Sequence, residues 1–269
     1  MNRQISIIGC GWLGKPLAMH LNDLGYSIKG STTSKEKLKL LSDHGIDSFI
    51  VELNEDQIIG DVDGFLSGSD IVVINIPPGL RRSPDKDHVA EIQHLMTSIQ
   101  TAQVPHVVYI SSTSVFEDRH PFPLITDDSN PDGSSKSATQ LIAVEKLLQS
   151  NPNFKTTIIR FAGLIDENRH PAKLLSGKTN LKNGDAPVNL IHKQDCISAI
   201  AQVILSETWG ATFNLAYPVH PTKKDYYKRY SKQHDIPLPH YDDIQESKGK
   251  IIGNTTMVQL LGYEFRAPI

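Results

Sequence analysis

The chain has 269 residues, 39% of them hydrophobic and 21% charged, with a formal net charge of −3. This balance excludes a disordered chain and a coiled-coil rod, and the length fits one large domain or one with a minor appendage. The slight acidity gives no electrostatic case for nucleic acid, and no apolar run approaches the roughly 18 residues of a membrane span.

Gln4 to Ile8 is a β-branched run, followed by a helical stretch from Lys15 to Leu24 that stops at Gly25. Tyr26 to Lys29 reads as a second strand, Ser34 to Leu41 as a helix, Ser48 to Val51 as a third strand and Ile71 to Ile76 as a fourth, apolar almost throughout. Lys86 to Gln103 carries Val89, Ile92, Leu95, Met96 and Ile99 at helical spacing. Val107 to Ile110 is a fifth strand, Leu141 to Leu148 lies in another amphipathic helix, and Thr156 to Ile159 is a sixth strand. Strand–helix alternation with nearly all-apolar strands means a parallel sheet covered on both faces, a Rossmann-type doubly wound α/β domain. Asp166 to Pro187 is loop-like, whereas a helix over Cys196 to Leu205 and a strand over Thr212 to Leu215 return to the sheet. The proline-rich tail from Pro218 reads as irregular. The expected division is a nucleotide-binding domain over residues 1–163, completed by 193–216, and a small substrate lobe from 164–192 and 217–269.

The N-terminal start lacks the pattern of a signal peptide, and Cys10 and Cys196 cannot form a disulfide framework, so a cytoplasmic protein is expected. Gly9-Cys10-Gly11-Trp12-Leu13-Gly14 is a GxGxxG between a strand and a helix. In that context the first glycine permits the turn, the second lets backbone approach a pyrophosphate, and the third lets helix and strand pack closely. The helix N-terminus adds N–H donors and partial positive charge. Eighteen residues after Gly14 comes Thr32, in the run Thr32-Thr33-Ser34-Lys35, with no carboxylate before Glu36. Hydroxyls and an ammonium there favour NADP over NAD, because a carboxylate would repel a 2′-phosphate. The same run also serves as a plain helix cap. No His/Cys/Asp cluster has metal-ligand spacing.

The order of motifs resembles the extended short-chain dehydrogenase/reductases, the epimerase/dehydratase group, over essentially the whole chain. The likeness rests on GCGWLG, INIPPG from Ile74 to Gly79, SSTSVF from Ser111 to Phe116, and NLIHKQD from Asn189 to Asp195. It implies that Asn75, Ile76 and Pro77 line the cofactor, that the backbone of Phe161 and Ala162 passes the nicotinamide, and that Ser112 hydrogen-bonds the reacting oxygen. It also implies a tyrosine and lysine in YxxxK spacing on the next helix. Aligned on Glu145, those positions hold Ser137 and Leu141, and no tyrosine occurs between Tyr109 and Tyr217. Gly163 stands where sugar-nucleotide epimerases carry an asparagine. Among the histidines, His120 and His170 follow arginine in loops where either could face a small, polar substrate; His192 reads as bonded to Asp195 or capping the helix, or else as lining the cleft, and His106 lies at the far edge of the sheet. Arg81 and Arg82 are solvated loop residues or contacts for an anionic substrate group.

Two readings stay open. The first is an NADP-dependent oxidoreductase or epimerase-like enzyme. The second is a catalytically silent NADP(H)-binding sensor or regulatory protein.

Overall fold

A computed structural model of the chain describes residues 3–269. Eight strands form the main sheet. They are β1 (Gln4–Ile8), β2 (Ser27–Thr32), β3 (Asp47–Leu53), β4 (Ile58–Gly60), β5 (Ile71–Ile74), β6 (His106–Ser112), β8 (Lys155–Phe161) and β11 (Thr212–Leu215). Their order is β11-β8-β6-β5-β1-β2-β3-β4, so the first strand is central and the chain winds outward to both sides. β1 pairs in parallel with β2 and β5, β2 with β3, and β5 with β6; only the short β4 is shown antiparallel, against β3. All four residues of β5 and four of the five in β1 are buried, as expected for strands covered on both faces. The doubly wound α/β class is therefore the one the chain adopts.

The described residues fall into two compact units. Of the described residues, the first comprises 3–112, Ser135–Ile159 and Ala199–Thr212. Its helices are α1 (Gly14–Asp23), α2 (Glu36–Ser42), α3 (Val62–Leu66), α4 (His88–Thr101), α5 (Lys136–Gln149) and most of α7 (Lys193–Leu205). Side-chain caps set several starts. Asp87 accepts from Ala90 N–H, which begins α4 two residues later than hydrophobic spacing implies, and Ser135 accepts from Ala138 N–H to begin α5. β5 ends at Ile74 rather than Ile76, because Pro77 and Pro78 have no N–H for a ladder. The hairpin strand β4 and the five-residue α3 escape the sequence reading, being too short to show a period.

The second unit comprises Thr113–Ser134, Arg160–Ser198 and Phe213–Ile269. It contains the short pairs β9 (Gly163–Ile165) with β10 (Leu190–His192) and β7 (Leu124–Ile125) with β12 (Ile251–Ile252). It also carries α6 (Pro171–Leu175), α8 (Lys223–Gln233) and α9 (Thr255–Leu261). The tail is less irregular than its prolines imply: they flank α8, whose Tyr226 and Tyr227 are buried with Ile165, Val188 and Leu190 in a local core. Asp195 pins the end of the chain, accepting from Tyr263 O–H at 2.9 Å, Arg266 N–H at 2.9 Å and Ala267 N–H at 3.0 Å.

Candidate functional site

The GxGxxG turn leaves β1 and enters α1, and it is clamped on two sides. Gly9 N–H donates to Ser31 Oγ at 3.1 Å, and Asn75 Nδ2 donates to Gly9 C=O at 3.1 Å. Cys10 N–H adds a bond to Ser31 C=O at 2.9 Å. The ends of β2 and β5 thus hold the turn in place. Sequence reasoning named Asn75 but passed over Ser31, whose role is visible only once β2 lies beside β1.

Three glycines of the turn meet different surroundings. Gly9 has φ +96°, and a Cβ there would lie 2.5 Å from Asn75 C=O. A Cβ on Gly14 would lie 2.2 Å from Gly9 C=O. Both are glycines because backbone fills the space. Gly11 is different: a Cβ there meets nothing within 4 Å. No protein contact accounts for that glycine, and the open space leaves room for the close approach of a ligand.

The start of α1 carries the same message. Its cap residue, Leu13, makes no side-chain cap bond and its first turn holds no acidic residue; the short α2 and α9 also lack a side-chain cap, while α3, α4, α5 and α8 have one. An uncapped N-terminus leaves N–H donors and partial positive charge for an anion. Glycine turn and helix end together fit the pyrophosphate of a dinucleotide. Trp12 is half-buried beside the turn. Cys10 is buried, and desolvation pushes its thiol up to about 12, so it is an inert small side chain.

At the end of β2, Thr32 is buried and its Oγ1 accepts from Ser34 N–H at 3.2 Å. Ser34 Oγ donates to the Glu36 carboxylate, a bond that holds the Glu36 pKa below the ordinary carboxylate value. These two hydroxyls are occupied within the chain. Thr33 and Lys35 are exposed, and among the described residues neither side chain has a hydrogen-bond or ion-pair partner. Of the four residues named from sequence, those two are available to a ligand.

Past β5, Asn75 and Ile76 are half-buried and Pro77 is exposed, so the three follow one another out of the sheet. Arg81 and Arg82 are exposed in the following turn.

Ser112, half-buried, is the last residue of β6. Its neighbour Ser111 is buried and donates to Glu145 Oε1 at 2.6 Å, with Glu145 only 2% exposed on α5. Helical spacing places Leu141 and Ser137 one and two turns before Glu145 on the same side of α5. Leu141 is buried and Ser137 half-buried. Tyr109 does not replace the missing tyrosine. It is fully buried in β6, and desolvation, with Glu145 adding, drives its phenol pKa well above the ordinary value.

In the second unit, Phe161 ends β8 and is buried, and Ala162 follows it, donating its N–H to Leu215 C=O at 2.9 Å. Gly163 has a packing reason: a Cβ would lie 2.8 Å from Leu190 Cδ2, so a larger side chain would displace that core leucine. His170 is not a substrate-facing loop residue. It is 6% exposed, accepts from Ala172 N–H at Nδ1 and bonds Tyr226 O–H through Nε2 at 2.9 Å, and desolvation lowers its pKa to about 4. His192 caps the start of α7, its Nδ1 accepting from Gln194 N–H at 3.2 Å, and its Nε2 lies 3.4 Å from Glu167. His120 lies 3.5 Å from Glu246. His106 stacks on Trp209 with ring centroids 4.3 Å apart, at the opposite end of β6 from Ser112. No helix among the described residues is long and apolar enough to cross a membrane.

A mostly parallel sheet with a glycine turn between its first strand and first helix defines a Rossmann-type dinucleotide-binding fold. A family model described as NAD(P)H-binding matches residues 9–232. The chain belongs to this NAD(P)H-binding family. Protein YeeZ of Escherichia coli (strain K12) is 30% identical over 269 residues, covering 99% of this chain and 97% of that one. The UDP-Glc/GlcNAc 4-epimerase from Campylobacter jejuni shares the fold, with a TM-score of 0.81 and 15% identity over 100% of this chain and 95% of that one. So does the UDP-glucuronic acid 4-epimerase from Bacillus cereus in complex with NAD, with a TM-score of 0.78 and 15% identity over 98% of this chain and 92% of that one.

Proposed function

We propose that the chain is an NADP-dependent oxidoreductase or epimerase-like enzyme of the cytoplasm, acting on a small polar substrate. The observation that carries the reading is the open space over Gly11, beside a helix start without a side-chain cap. In this reading the turn Gly9–Gly14 and the start of α1 hold the pyrophosphate. Thr33 and Lys35 bind the 2′-phosphate, the first by its hydroxyl and the second by its charge. Asn75, Ile76 and Pro77 line the cofactor, and the backbone at Phe161 and Ala162 borders the nicotinamide. When bound, the nicotinamide supplies or accepts a hydride. Ser112 donates a hydrogen bond to the substrate oxygen, and Glu145 fixes the adjoining Ser111 so that the end of β6 keeps its direction.

The structural relatives carry names of enzymes acting on UDP-sugars, which makes such sugars the first substrates to try. Gly163, where the resemblance to sugar-nucleotide epimerases implies an asparagine, argues for a wider panel. The test is NADPH absorbance with purified protein and a panel of carbonyl compounds and sugar nucleotides. Turnover that disappears in Ser112→Ala is the expected result. A second reading, a silent NADP(H)-binding protein, is favoured by Ser137 and Leu141 on the face of α5 that also carries Glu145, because neither side chain moves a proton at neutral pH. Tight NADPH binding with no turnover across the panel would replace the first reading by the second.

A further inference from the structure

The second unit holds a cavity of about 330 Å³ lined only by its own residues. Leu174 and Leu175 of α6, Tyr227 of α8 and Tyr241 give it apolar walls, and Lys182 and Lys223 bring two ammonium groups. Leu174, at 74% exposed, is a large apolar side chain left uncovered there. Small-molecule sites span roughly 300–1,000 Å³, so this one takes a substituted ring rather than a whole nucleotide sugar.

Lys223 is the informative residue. It occupies the first position of α8, directly after the cap Thr222, where a cation opposes the helix dipole. Its neighbour Lys224 is offset by Asp185 at 2.6 Å and Asp243 at 3.7 Å. Lys223 has no carboxylate within ion-pair distance among the described residues. Withdrawal from water lowers its pKa, with Asp118 opposing that shift and Lys250 adding to it. Lys250 is itself held by the Phe116 C=O at 2.6 Å and Asp118 at 2.8 Å. A half-buried cation at a helix start with no carboxylate within ion-pair distance is unfavourable until an anion arrives. The tyrosines do not oppose one: burial raises the Tyr227 phenol well above its ordinary value and that of Tyr241 to about 12, so both stay neutral.

We infer that this cavity binds a small organic anion. Its aromatic ring or short apolar chain sits among Leu174, Leu175, Tyr227 and Tyr241, and its carboxylate, sulfate or phosphate monoester meets Lys223 at the start of α8. Lys182, exposed, adds a second charge. The residues that line it all belong to the second unit, whereas the glycine turn belongs to the first.

Fluorescence titration with 8-anilinonaphthalene-1-sulfonate, in saturating NADP so that the dinucleotide turn is blocked, tests the site. One saturable site is expected, with N-phenyl-1-naphthylamine, the same rings without the sulfonate, at least tenfold weaker. Lys223→Met keeps the aliphatic stem and should weaken the sulfonate probe tenfold or more, with melting temperature and NADPH affinity unchanged. Leu174→Glu, at an exposed position that tolerates charge, should cause the same loss by repulsion. Absence of a saturable site, displacement by NADP, or wild-type probe affinity in both variants would overturn the inference. NADPH binding, measured separately, reports on the proposed function and not on this cavity.

Discussion

Two alanine substitutions three residues apart, at Gly11 and Gly14, should separate folding from cofactor binding. A methyl group on Gly14 would be forced to 2.2 Å from Gly9 C=O, far inside contact distance, and the obstacle is backbone. Overpacking of this kind costs about 1–3 kcal/mol, or more where backbone must move. Gly14→Ala should therefore lower the melting temperature by several degrees, at roughly 2–4 °C per kcal/mol for a chain of this class. A methyl group on Gly11 meets nothing within 4 Å, and the residue does not need positive φ. Gly11→Ala should leave stability unchanged or raise it by about 0.4–1 kcal/mol, through the smaller entropy of the unfolded chain. The same methyl occupies the space assigned to the pyrophosphate, so NADPH affinity should fall about tenfold or more, equivalent to ~1.4 kcal/mol. Thermal unfolding of both variants and NADPH fluorescence titration of Gly11→Ala make the comparison. Wild-type NADPH affinity in Gly11→Ala, or a stability loss there equal to that of Gly14→Ala, would refute the assignment of the turn.

Three further outcomes follow from particular residues. Lys35→Ala should weaken NADP about fivefold to tenfold and leave NAD affinity unchanged, since only the 2′-phosphate meets that ammonium; equal losses for both would place Lys35 elsewhere. His170 has a folded pKa of about 4 against an ordinary 6.5, so below pH 6.5 the unfolded chain takes up a proton that the folded one refuses. Stability from this group is then present above pH 6.5 and falls as the pH drops towards 4, by about 2 kcal/mol at pH 5. Denaturant unfolding at pH 7.5 and 5 should show that slope in the wild type and a flatter one in His170→Gln. Asp195→Ala strips the carboxylate acceptor from Arg266 N–H and Ala267 N–H, leaves Tyr263 O–H only the Asp195 backbone C=O at 2.9 Å, and should cost about 2 kcal/mol or more, with the C-terminal segment gaining early hydrogen exchange.

The sequence by itself determined the class of fold and the position of the glycine turn between β1 and α1. Apolar strands such as Ile71–Ile74 and the periodic helix around Ile92 and Leu95 are local signals, set by which faces are covered, and GxGxxG is a local demand on backbone. Gly11 and Gly14 look alike in that string, and only tertiary structure decided that one faces open space and the other faces backbone. Ser31 had no signal at all, because its bond to Gly9 exists only when β2 lies in register beside β1. Thr32 and Ser34 looked as available as Thr33 and Lys35 until their bonds to Ser34 N–H and Glu36 were formed. Likewise α8 was hidden by its lysines and tyrosines, whose burial depends on Ile165, Val188 and Leu190 arriving from distant sequence. Periodicity reports on one element at a time. Clamps, caps and unpaired charges belong to pairs of elements, and those are fixed only by packing.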